Sequence, residues 1–256
     1  LIPGTGPSAA NMVKVFVFMG IIPAITFVSL LIFRDAVITN LLVAACCGAF
    51  AFVHYKYFEG STLVWGTIIA KEGSTIKDDL KKALPMLAGA AAGVLILLGL
   101  YSYFIALGPQ TLVLPFPNNG GVGNIIYWIF FFITFVLLVS IAEFVFFHVF
   151  CVAFWTQAWA KFLIVGVYAG YNFLWLIWVV PFVAALILTG FAFALGWVLL
   201  TIRDKQGAAS ALAIRIGIAL GLFCYLIFLN LVYPGGIKSP EYYFRGNVKN
   251  IFQSSK

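Results

Sequence analysis

Few side chains in this sequence could carry chemistry, and those few stand in oily surroundings. Glu143 lies deep in FVLLVSIAEFVFFHVF, Arg215 in AASALAIRIGIALGLF and Asn172 in VGVYAGYNFLWLIW. An ionisable group at mid-membrane costs roughly 2.5–3.5 kcal/mol on insertion scales, so such residues turn toward a bundle interior and mark a site. Three arrangements fit this set. Glu143, Asn172 and Arg215 could converge as a catalytic or ligand site. Glu143 and Arg215 could neutralise each other as a buried ion pair, with Asn172 hydrogen-bonding across helices. Glu143 could relay protons or cations in a transporter. The ion pair leads, because one carboxylate with one guanidinium is the smallest arrangement that keeps both charges buried. His148 follows Glu143 by five residues, roughly 500° of helix rotation, so the two are expected to point to different sides.

Other chemistries are harder to assemble. Zinc hydrolysis needs three protein ligands and a water, and the chain holds only His54 and His148, with no H-E-x-x-H. Haem ligation would need those two imidazoles to face each other. No G-x-S-x-G occurs. Ser140 shares a helix face with Glu143, but a serine in an apolar helix is expected to bond back to its own backbone. Cys46, Cys47, Cys151 and Cys224 fall in apolar runs without C-x-x-C spacing, and read as small buried hydrophobes. No cofactor and no metal are expected.

The elements that must hold these residues follow from composition. Hydrophobic residues make up 64% of the 256-residue chain and charged residues 9%, against roughly 45–50% and 25% in soluble domains. So few polar side chains could not cover a soluble surface. The balance of 15 basic and 8 acidic residues gives +7, but the basic residues are spread over loops rather than clustered, so no nucleic-acid footprint results. The class is all-α: a polytopic transmembrane helical bundle of seven or eight spans in one domain, with the lipid bilayer and other membrane subunits as partners. Spans are predicted near 12–33, 37–55, 85–107, 124–154, 162–180, 181–202 and 208–233. Pro181 divides the uncharged stretch 162–202. Loop 56–84 carries Lys56, Lys71, Lys77, Lys81 and Lys82, whereas 108–123 carries no charge; the first is cytoplasmic by the positive-inside rule. Seven spans then leave the tail 234–256, with Lys238, Arg245, Lys249 and Lys256, on the outer side. That conflict keeps eight spans open. Within the loop, STIKDDLKKALP predicts a short amphipathic helix capped by Ser74 or Thr75.

The order of these features resembles the CAAX-protease and bacteriocin-processing enzymes, the intramembrane endopeptidase family called CPBP or ABI. That family carries Glu-Glu-x-x-x-Arg in one helix, Phe-x-x-x-His in a later one and His-x-x-x-Asn or Asp in a third. Here Ala142-Glu143-Phe144-Val145-Phe146-Phe147 occupies the first position, Tyr168-Ala169-Gly170-Tyr171-Asn172 the second, and Gly190 to Gly196, Thr201 to Gly207 and Ser210 to Ala219 the third region. The resemblance spans roughly residues 80–230 and rests on order and spacing. It implies the bundle fold but loses the chemistry. Ala142 stands for the first Glu, Phe147 for the Arg, Asn172 and Arg215 for the two His, and Ala219 for the Asn or Asp. Without a carboxylate and an imidazole on one water, general-base activation is lost. The expectation is a noncatalytic relative, an accessory or scaffold subunit of a membrane complex, with an active intramembrane endopeptidase as the alternative.

Overall fold

Long apolar stretches can satisfy their backbone N–H and C=O groups without water only by bonding within themselves, and a helix does this in a single segment. In the computed structural model, which describes residues 9–57, 76–105, 125–152, 158–179 and 182–232, every element is helical. They are α1 (Ala9–Phe33), α2 (Ala36–Tyr57), α3 (Ile76–Ile105), α4 (Ile125–Cys151), α5 (Ala158–Val179), α6 (Phe182–Gln206) and α7 (Ala208–Val232). Six are long and apolar enough to cross a membrane; in α2 the described apolar part, Ala36–Phe50, is shorter.

The boundaries differ from the sequence expectation at the start of α3. The amphipathic segment before the third span is not a separate helix: α3 runs unbroken from Ile76 through Pro85 to Ile105, with Asp78 and Asp79 in its first turn, where the helix dipole favours acids. Ser74 and Thr75 lie outside the described residues, as do loop 108–123 and the tail 234–256. The long 124–154 run forms one helix, as the predicted span has it, and the 162–202 stretch forms two, α5 and α6, on either side of residues 180–181.

α4 is the axis. Its hydrogen bonding is of the wide π type over Phe132–Val139 and Phe144–Cys151, around an α-helical turn at Ser140–Glu143. Around it, Phe146, Phe147, Phe150 and Cys151 pack with α1, α2 and α5, Phe131 and Val136 pack with Phe223 and Leu226 of α7, and Phe144 and Val149 pack with Leu199 of α6 and Ala211 of α7. The second half of α4 is mostly buried, while its first half keeps an apolar face of Ile126, Ile129, Phe130 and Ile133 on the outside of the bundle. α3 sits at the edge, seated against α7. Gly217 and Gly221, one turn apart, allow this approach: a Cβ on Gly217 would fall 2.4 Å from the Leu87 carbonyl oxygen, and one on Gly221 2.7 Å from that of Ala91. Small residues four apart are the usual way for membrane helices to bring their backbones together.

Successive helices reverse direction, and contacts at the two ends agree with this. At one end Tyr127 Oη donates to Asp35 Oδ1 at 3.0 Å, and the same carboxylate accepts from the N–H groups of Val37 (2.7 Å) and Ile38 (3.0 Å), capping α2. At the other, Lys161 Nζ meets Asp204 Oδ2 at 3.0 Å. The α6–α7 hairpin at that end turns on Gly207, whose φ of 101° suits glycine; its N–H donates to the Arg203 carbonyl oxygen at 3.0 Å, the αL form of helix termination.

Candidate functional site

α7 carries Ala211, Arg215 and Ala219 at intervals of four, which stacks them on one face. The two alanines are fully buried, so that face can lie close to α4 and aim the arginine at it. There Arg215 Nη2 donates to Glu143 Oε2 at 2.7 Å. The side chains retain 9% and 3% of their surface. A charge-assisted bond of this length in a low-dielectric interior is strong, yet its net worth is small, because both ions have left water; the large effect is the cost of removing only one.

Two tyrosines of α5, Tyr168 and Tyr171, complete the surroundings. Both are buried and interact electrostatically with Glu143 and Arg215. They are three residues apart and so share a helix face. Tyr171 Oη and Arg215 Nε have no hydrogen-bond partner among the described residues. The tyrosines were quoted in the sequence only for their place in a motif; their spacing on the face of an apolar helix is the signal that could have placed them beside the charges.

Asn172 does not join the pair. Its Nδ2 donates to the Tyr168 carbonyl oxygen of its own helix at 2.8 Å, the local acceptor four residues back that short polar side chains reach most easily. Ser140 likewise bonds within its helix, to the Phe135 carbonyl oxygen at 3.2 Å. The five-residue reach of that bond reflects the wide winding of α4.

His148 is buried, its ring stacked on Phe144 at 5.4 Å and edge-on to Tyr168 at 5.1 Å. It makes no hydrogen bond to Glu143, and its Nδ1 has no partner among the described residues. Both residues nevertheless border Tyr168, because π-type winding brings residues five apart closer to one side than α-helical rotation does. The side chain of His54 lies outside the described residues.

The cysteines are free thiols: Cys47 and Cys151 are buried in the core, Cys46 is half-buried, and Cys224 lies on the exposed face of α7, contrary to the expectation that all four are buried. Among the described residues no group of three His, Cys, Asp or Glu could hold a metal ion. Chemically, then, the interior offers a neutralised carboxylate, two phenols and a neighbouring imidazole that does not touch the acid. No protein-family model, curated protein or solved structure matches this chain.

Proposed function

We propose that the chain is an integral membrane protein that crosses the bilayer seven times and serves as a noncatalytic accessory or scaffold subunit of a membrane complex, in the manner of a CPBP-type bundle without its protease chemistry. The observation that carries this reading is the Glu143–Arg215 bond at 2.7 Å. A carboxylate engaged by a guanidinium, and not bonded to an imidazole, is a poor general base for activating water. Its role is then to fix how α4 meets α7.

The seventh crossing is α2, whose 22 residues reach about 33 Å at 1.5 Å per residue, enough for the hydrocarbon core. The alternation of helix directions places Lys81, Lys82, Lys161, Arg203 and Lys205 at one end, which the positive-inside rule assigns to the cytoplasm or its topological equivalent.

Two measurements test the reading. Purified protein incubated with membrane peptides should give no cleavage; turnover that disappears on Glu143→Gln would overturn the noncatalytic assignment. Mass spectrometry of material purified in mild detergent should find a partner protein at fixed stoichiometry, and a chain that purifies alone argues against the subunit role.

A further inference from the structure

Beneath the ends of α4, α5 and α6 lies a buried polar cluster with hydrogen-bonding capacity left over. His148 Nδ1, Tyr171 Oη and Arg215 Nε have no partner among the described residues, although all three residues are more than nine-tenths buried. Polar atoms in this condition take up water or another hydrogen-bonding molecule when a route exists.

A chain of polar contacts joins the ends of α4, α5 and α6 on the side where His148 lies nearest a helix end. The Arg203 guanidinium donates to the His148 carbonyl oxygen at the end of α4 and to Asp204 Oδ1. The other oxygen of Asp204 holds Lys161, at the start of α5. Just below, the seam is closed by Leu199 packed with Phe144 and Val149. Lys161 and Asp204 keep 27% and 40% of their side-chain surface. Exposed pairs of this kind are cheap to break, whereas parting one partner from a buried pair is not.

We infer that Arg203, Asp204 and Lys161 form a latch whose release parts the ends of α4 and α6 and admits water to His148, and from there to the Glu143–Arg215 pair. The weak contacts stand at the mouth and the strong one inside, so the mouth can open while the bundle holds. The inference rests on the proposed topology only for which solution reaches the latch.

The test uses the full chain in mild detergent, where both ends meet solvent. Diethyl pyrocarbonate labels accessible imidazoles, and labelling of His148 is followed by mass spectrometry of its peptide. In the unaltered protein labelling should be slow. Arg203→Gln and Asp204→Asn should each raise its rate tenfold or more, while the unfolding temperature in the same detergent stays close to that of the unaltered protein. An unchanged His148 rate overturns the latch, and so does a marked fall in unfolding temperature that accompanies the faster labelling, since that is general loosening. If Arg203→Gln does not fold, Asp204→Asn carries the test, because it alters only an exposed acid. The topology is checked apart from this, in liposomes, by an impermeant maleimide on Lys205→Cys, so either idea can fail alone.

Discussion

Removing one member of the central pair strands the other, and this asymmetry sets the main expectation at the level of single residues. Arg215→Leu should destabilise by about 3–5 kcal/mol, and the double change with Glu143→Leu should recover much of that loss. Equilibrium unfolding in detergent micelles checks it: equal damage from the single and double variants argues against coupling. Asp35→Ala should cost about 1 kcal/mol through loss of the α2 cap, and more if Tyr127 Oη finds no new acceptor; comparison with Tyr127→Phe separates the two. The pair itself was legible in the sequence, because two opposite charges in apolar runs have few other ways to stay buried. Asn172 was not, since nothing in its neighbours tells whether an amide reaches across to another helix or back to its own. Asp35 escaped notice for a different reason. With Arg34 it forms a charged step between two apolar runs, and an acid just before an apolar run is a cap signal rather than a mid-membrane charge.

For the helices, the glycines divide by what lies opposite them. Gly217→Ala drives a methyl group into the Leu87 carbonyl, and the overpacking should cost about 1–3 kcal/mol. Gly166→Ala, on an open face of α5 with nothing near its Cβ, should instead stabilise by about 0.5–1 kcal/mol through helix propensity. Thermal unfolding of both variants in the same bicelles distinguishes them; equal effects would mean that α3 is not seated through this contact. The helices were legible because long apolar runs bounded by charge or proline have few alternatives. The start of α3 was not, because the charged STIKDDLKKALP segment reads as a separate amphipathic helix, whereas it continues through Pro85, in the third turn of one helix. Nor does composition announce the wide winding of α4, on which the mutual placement of Glu143 and His148 depends.

Over the whole molecule, the alternation of seven helices predicts that Arg34→Cys and Lys205→Cys, at opposite ends, react with an impermeant maleimide from opposite sides of a sealed vesicle. Labelling of both from one side would overturn the seven-crossing topology. The basic tail that made an even number of spans attractive lies beyond the described residues, and the described helices supply no eighth crossing. Apolar pattern locates the described helices, while which helix touches which depends on small residues such as Ala211, Gly217 and Gly221, whose meaning emerges only with the partner surface in view.

The central bond joins residues 72 positions apart, and its basic member lies on α7, made well after α4. A ribosome therefore delivers Glu143 to the translocon with its countercharge still unsynthesised, and delivers α3 long before the glycines that seat it. A nascent chain halted before α7 holds an acid without its counter-ion and an unanchored helix, so quality control in the membrane has two separate flaws to recognise until α7 is made.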